Sequence, residues 1–403
     1  MMSAVRNLYR DAFSGLPREV WLLAAGALIN RAGTMVLPFM SLYLTTELAF
    51  SKEKAGWILL SFGMGSIAGS WLGGWMSGRI GAVRVQYWSL VLACGGFLAV
   101  SQLHNFWPLF AGVFLLSTVN DAFRPACMTA TVELAPDEVR TRALTLLRLS
   151  VNLGMAVGPA LAGVLATENY VWLFVGDAIT CLAAGLFIRH MLRGAPRILA
   201  ESGDGAGLTL RSPWRDGPFL VFLLIILLLG VVFMQLLITL PLFLHDDYGL
   251  PEYAIGGLIA FNALLIVLTE MILIRRTEHR PPLRMLAVGI LFVGAAFALF
   301  PLGRTILWAG LAMVVLTVGE MLAFPFSNAL AASRGGRYGS SAYMGLYTAA
   351  FSLAHMLAPV GGLFLYEWAG GGAVFFTGGA LALLLSLACL GLAPSFRPRL
   401  PAA

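Results

Sequence analysis

The chain has 403 residues, 59% of them hydrophobic and 11% charged, with a net charge of +6 and a mean hydropathy of +0.85. Soluble domains carry about 25% charged residues, so a soluble enzyme or nucleic-acid-binding domain is excluded; the basic residues lie in short loops between apolar runs. Runs of roughly 18 or more apolar residues, each long enough to cross a hydrocarbon core as a helix, recur along nearly the whole sequence, whereas a membrane β-barrel would alternate in segments of about ten.

Residues 1–18 are polar, with Arg6, Arg10 and Arg18, and lack the short apolar core and small-residue cleavage site of a removable signal. Helical spans are predicted over 20–46, 55–77, 86–103, 106–131, 143–166, 170–189, 218–244, 253–274, 285–302, 306–330, 343–366 and 373–394. The expected fold is an all-α membrane protein of twelve transmembrane helices. A stretch rich in Gly, Pro and Arg after the sixth span reads as a linker with a short surface helix at 196–201. It divides the chain into an N-terminal six-helix half (1–190), a cytoplasmic linker (191–217) and a C-terminal six-helix half (218–403). With both termini cytoplasmic, twenty of the 26 basic residues fall on the inner side and three, Lys52, Lys54 and Arg304, on the outer side; Arg31, Arg124 and Arg148 lie inside spans. That asymmetry fits the positive-inside rule, and a bacterial inner membrane is the expected location.

The halves repeat at an offset of 200. Phe123-Arg124-Pro125 lies over Phe324-Pro325, Gly158-Pro159 over Ala358-Pro359, and Pro38 has a near counterpart in Pro241. Parallel six-helix repeats are the arrangement of transporters that rock two halves around a midplane site.

The fifth span carries Gly154, Gly158, Pro159 and Gly163, and the region between the second and third spans carries Gly65, Gly74, Arg79, Gly81 and Arg84. On these residues the chain resembles a major facilitator superfamily transporter, and its fifth span resembles the Gly-Pro signature of the drug:proton antiporter branch. The resemblance implies a two-half fold related by a pseudo-two-fold repeat, a conformational role for those glycines and arginines, and a membrane-embedded arginine tied to proton transfer, matched by Arg124. Two departures stand out. Gly78 occupies the place of the gating motif's acidic residue, so a latch would have to use another acid such as Glu133, Asp137 or Glu138; and Cys127 and Met128 stand where a Gln and a Gly are usual after the arginine. The plainer reading of Arg79 and Arg84 is that they only fix topology, and that of Gly154 to Gly163 is a tightly packed, kinked helix.

An ionisable group within a span is expensive unless it faces protein or water, which makes it a candidate for a pathway. Asp121 lies three residues before Arg124, on the same face of a regular helix; the two are either a self-neutralising pair or a proton site. Arg31, beside Asn30, lies near the middle of the first span, and Glu320 lies deep in the tenth, opposite Asn120 in the repeat. Proton coupling is therefore assigned to Asp121, Glu320, Arg124 and Arg31, and substrate binding to Asn30, Arg31, Gln235, Asn262, Glu320, Asn328 and His355. Arg148, Asp177 and Glu270 read as packing or latching groups.

The cysteines Cys94, Cys127, Cys181 and Cys389 fall inside apolar runs without a close pair, so neither disulfides nor a metal site is indicated. No phosphate-cradling loop, His-Glu-x-x-His or Gly-x-Ser-x-Gly is present; no enzymatic activity, cofactor or nucleic acid is expected, and uphill transport must draw on a gradient. The sequence predicts a monomeric secondary transporter in lipid that exports small amphipathic molecules in exchange for protons. Alternatives are a proton-coupled importer of peptides or other charged solutes, and a non-transporting receptor or lipid-handling protein.

Overall fold

A computed structural model describes residues 15–136, 139–192, 213–277, 279–334 and 336–396. The predicted surface helix at 196–201 and the acids Asp137 and Glu138 lie outside them. Among the described residues twelve helical segments are long and apolar enough to cross a membrane: Arg18–Glu47, Lys52–Ile80, Ala82–Val100, Phe106–Leu134, Arg142–Glu168, Val171–Met191, Gly217–Ile238, Glu252–Thr277, Pro282–Leu302, Ile306–Arg334, Tyr343–Ala369 and Gly371–Gly391. They are numbered below as the first to twelfth spans. Their outer surfaces are apolar: Leu307, Leu384 and Ile179 are 84%, 62% and 62% exposed. Exposed Trp107, Trp172 and Trp368 sit at span ends, where amphipathic indoles favour a lipid–water interface.

Three spans are broken where proline dictates. The proline ring clashes with the carbonyl four residues earlier and supplies no N–H. In the first span the helix Arg18–Ala32 ends, residues 33–35 turn, and Val36–Leu42 begins with Pro38 in its first turn, followed by a π-helical stretch, Tyr43–Glu47. The seventh span halts at Thr239 and continues as Leu240–Asp246 with Pro241 in its first turn. In the fourth, Pro125 lies four residues after Asp121, and the helix Phe106–Asp121 gives way to Phe123–Leu134 there. Pro159, Pro325 and Pro359 remain inside continuous helices.

The chain packs into two compact units. The first takes the described chain up to Tyr43, then Ser61 to the end of the sixth span, and Ile259–Ala263 of the eighth; the second takes Leu44–Leu60 and the remainder of the seventh to twelfth spans.

In the first unit, glycines set the closest approaches. Gly65, Gly69 and Gly73, one turn apart on the second span, lie against backbone of the fourth span at Phe114, Thr118 and Ala122, where a Cβ would collide with carbonyl oxygens. In the fifth span, a Cβ on Gly154 would come within 2.5 Å of Arg31 Cβ, and one on Gly158 within 3.1 Å of the carbonyls of Arg31 and Thr34. The Gly-Pro helix thus lies directly on the break of the first span. Gly74 faces open space, and Gly81 caps the third span at φ +92°, a conformation natural to glycine.

In the second unit, Phe243, Phe297, Phe300 and Phe375 are fully buried and in ring contact through Phe375. The ninth and tenth spans meet backbone to backbone at Gly289 and Gly319.

Candidate functional site

The first unit holds a polar cluster on the first, fourth and sixth spans. Asn30 is buried and its Nδ2 lies 3.6 Å from the Cys181 sulfur, while that thiol faces Asn120 Oδ1 at 3.9 Å. Asn120 in turn donates to Asp121 Oδ1 at 3.4 Å. Arg31 and Arg124 are close enough for each guanidinium to act on the other, and Asp121 acts on Arg124 as well. Arg31 and Asp121 are half-buried and Arg124 is exposed. An exposed guanidinium midway along a membrane span requires water or a polar ligand beside it.

The helix ends at Asp121, so the regular i, i+3 pairing expected of Asp121 and Arg124 is interrupted. Among the described residues no ion pair within 4 Å joins them; the Asp121 carboxylate takes the Asn120 amide instead. The signal for this was present in Pro125, four residues after Asp121.

Asp177 is only 3% exposed and lies where the first span breaks. Its Oδ1 accepts from the Met35 N–H at 2.9 Å and its Oδ2 from the Val36 N–H at 3.2 Å. The Met35 N–H is shared with the Gly33 carbonyl at 2.8 Å, while the Val36 N–H, at the start of the second half-helix, lacks an acceptor four residues back and turns to the carboxylate; a negative charge is favoured there. Thr180, one turn on, occupies the space that a side chain on Gly33 would need. In the sequence Asp177 reads as a packing or latching group; its partners, 142 and 141 residues away, leave no local pattern.

The substrate-binding candidates are dispersed. Gln235 is buried and its Nε2 donates to the Ala358 carbonyl at 2.9 Å, tying the seventh span to the eleventh beside Pro359. Asn328 and His355 bond to carbonyls of their own helices, Phe324 and Phe351. His355 also ends a run of ring contacts through Phe233, Phe324 and Phe351; the position that repeats Arg124 is thus one ring of an aromatic group. Asn262 is buried and packs with the first unit. Glu320 is half-buried and follows Gly319, which fixes its helix against the ninth span.

Arg79 stacks over the Trp75 ring at 3.8 Å, and Trp75 stacks on Trp71. Gly78 and Gly74 face open space, so the arginine of the gating-motif region is held by aromatic rings on its own helix. Glu133 is half-buried near the end of the fourth span.

Two charged clusters lie at opposite ends of the second unit. At the end with the loops after the first, seventh, ninth and eleventh spans, Glu367 accepts from the Lys52 N–H at 2.7 Å, the Lys52 ammonium pairs with Asp246 at 3.3 Å, and it lies 4.2 Å over the Tyr366 ring. The Tyr366 hydroxyl donates to Asp246 and Asp247, and Arg304 holds Asp247 at 2.9 Å. Tyr248 donates to the Phe300 carbonyl, and burial pushes its phenol up to about 12. At the other end, Arg334 clasps Asp216 with Nε and Nη2 at 2.8 and 2.9 Å while lying over Phe396, and Tyr343 donates to the same carboxylate. The Arg334 hydrogen bonds hold the Asp216 carboxyl below the usual carboxylate range, and that carboxylate also caps the seventh span through the Phe219 N–H. Neither cluster was singled out from sequence, where these residues read as loop charges. Among the described residues no group of His, Cys, Asp and Glu could hold a metal.

The sequence pattern of the Major Facilitator Superfamily matches residues 22–342. The chain is 23% identical to the Na(+), Li(+), K(+)/H(+) antiporter of Planococcus maritimus, covering 88% of this chain and 91% of that one. It is 25% identical to the multidrug resistance protein MdtH of Edwardsiella ictaluri, covering 87% and 86%. Among solved structures, a POT family transporter in complex with 5-aminolevulinic acid superposes with a TM-score of 0.80 at 17% identity, covering 96% of this chain and 98% of that one.

Proposed function

We propose a specific activity for this chain, which belongs to the Major Facilitator Superfamily: proton-coupled export of small amphipathic or cationic molecules by alternating access. The family makes it a multi-pass membrane transporter rather than an enzyme. The observation that carries the finer reading is the polar cluster of Asn30, Arg31, Asn120, Asp121 and Arg124, which puts a carboxylate and two guanidiniums deep in adjacent spans. The names of two relatives, a cation/proton antiporter and a multidrug resistance protein, agree with that direction.

In this mechanism Asp121 and Glu320 take up and release protons, and Arg124 attracts the Asp121 carboxylate when it is charged. Protonation weakens the attraction between acid and arginine and frees the cluster to rearrange. The apolar export cargo binds to aromatic side chains such as Phe324 and Phe351. The chain acts as a monomer in the inner membrane with both termini cytoplasmic, and the ends of the two sequence halves separate and close in turn.

The test is flux in proteoliposomes under an imposed pH gradient, with ethidium, sodium and dialanine as probes. Export of ethidium or sodium driven by an inward proton gradient supports the proposal, and Asp121→Asn and Glu320→Gln should each reduce it to the leak of empty liposomes. A second reading rests on the two mutually acting guanidiniums, which suit an anionic substrate. Under it dialanine would be taken up with protons and neither ethidium nor sodium would move. No response to the gradient with any probe overturns proton coupling.

A further inference from the structure

A buried carboxylate fastens the broken first span to the sixth. Both Asp177 oxygens are used: Oδ1 by Met35 N–H, Oδ2 by Val36 N–H. The break is packed from two further sides. Gly33 touches Thr180 of the sixth span, Gly176 touches the Met35 sulfur, and Gly154 and Gly158 of the fifth span sit on Arg31, Ala32 and Thr34. Arg31 is only four residues before Met35, and its carbonyl takes the Thr34 N–H at 3.0 Å within the turn. Any shift of the Met35–Val36 amides is therefore carried to Arg31, the cation of the proposed coupling cluster.

The break does not require an ionisable group. The seventh span, its repeat, also breaks before a proline, yet Thr239 closes it with its N–H and hydroxyl on the Gln235 carbonyl. The repeat offset puts Thr377 opposite Asp177, and among the described residues Thr377 bonds to carbonyls of its own helix, Ala373 and Val374. A neutral closure thus serves the second half, while the first carries a carboxyl group that is costly to keep charged in a membrane interior.

We propose that Asp177 is a positioning residue of the transport cycle: a proton-releasable clasp on the first span that sets the position of Arg31. An ionised carboxylate accepts with both oxygens, whereas a protonated one turns one oxygen into a donor. A proton from water binds Oδ2, which holds the longer hydrogen bond, and the Val36 N–H loses its acceptor. The start of the second half-helix then loosens and Arg31 moves with it. The charged and titratable groups around Asp177 are Arg31 on the first span, Cys181 one turn along the sixth, and, next to Cys181, Cys94 of the third; the fifth span approaches the break with Gly154, Gly158 and the aliphatic Leu165. Arg31 attracts the charged clasp, and Arg31 and Asp121 both act on Arg124.

This inference rests on the proton-coupled reading above but is tested without a substrate. Hydrogen exchange of the peptide spanning residues 33–36 is measured in the purified full chain in detergent, as the ratio of the wild type to Asp177→Asn at each pH. Asn keeps one acceptor oxygen and cannot titrate, so it imitates the protonated clasp. The expected ratio shows the wild type about tenfold better protected at high pH, the effect of one charge-assisted hydrogen bond, and converging on the variant as pH falls, while Asp177→Glu keeps a pH-dependent ratio. A pH-independent ratio overturns the proposal. Should Asp177→Asn fail to fold, the carboxyl infrared band of the wild type, identified by its shift in Asp177→Glu, serves instead: a band that does not titrate across roughly pH 5 to 9 overturns it. Failure of the parent reading is a separate outcome, absence of gradient-driven flux in wild-type proteoliposomes.

Discussion

At the level of single residues, Asp216 and Arg334 join several polar contacts at one point: a bidentate pair, a tyrosine hydroxyl, a ring beneath the guanidinium and a helix cap. Their side chains are 17% and 22% exposed, so screening leaves the pair worth about 1 kcal/mol. Asp216→Asn should lower thermal stability by about that amount. Because the Asp216 carboxyl is depressed in the folded protein, its contribution is fully present above the ordinary carboxylate range and is lost as pH falls through the folded value. Melting in detergent at neutral and acidic pH should therefore show the wild type and Asp216→Asn converging in acid; a constant gap would count against the ion pair. The proximity of the two residues, 118 apart in sequence, was invisible in the chain, where each is an ordinary loop charge.

At the level of helices, the glycine positions separate by what a Cβ would meet. Gly154→Ala must push against the Arg31 Cβ and the Ala32 backbone nitrogen at 2.9 Å, neither of which can swing away, and should destabilise by about 1–3 kcal/mol, the usual range for overpacking. Gly74→Ala meets nothing within 4 Å and should gain up to about 1 kcal/mol through helix propensity. Thermal melts of the two variants check both signs. The sequence carried Gly65 and the fifth-span glycines as motif positions, but Gly69 and Gly73 complete the stripe against the fourth span, and their one-turn spacing from Gly65 was the available signal. Pro38, Pro125 and Pro241 marked candidate breaks, each excluding a carbonyl four residues back, but Pro159, Pro325 and Pro359 sit in continuous helices, so which prolines break a span was decided by tertiary packing.

At the level of the whole molecule, the charge asymmetry predicts orientation. In a background with Cys94, Cys127, Cys181 and Cys389 replaced, a membrane-impermeant thiol reagent should label Lys54→Cys in intact cells and Arg280→Cys only after permeabilisation; the opposite pattern would invert the topology. The cluster of Lys52, Asp246, Tyr366 and Glu367 joins the start of the second span to the seventh and eleventh within one packed unit. If that end opens during transport, these contacts break in every cycle. Lys52→Ala should then change proton-driven flux while costing under about 1 kcal/mol of stability, as an exposed ion pair does, measured by proteoliposome flux beside a melt.

The sequence by itself determined the all-helical class, the twelve spans, the repeat and the family, because a bilayer demands long apolar runs and internally satisfied backbone, and those demands are met locally and in order. Arg31, Asp121, Arg124 and Glu320 were conspicuous as charges where lipid would exclude them. What only the tertiary structure decided is who meets whom. Asp177 reads in the chain as one acid in an apolar helix, and becomes a clasp because the first span breaks beside it and turns the Met35 and Val36 N–H groups toward its carboxylate. Asp121 and Arg124 look like a pair until the helix ends between them. Backbone donors freed by a break, and charges brought together across more than a hundred residues, leave no periodic trace in the chain.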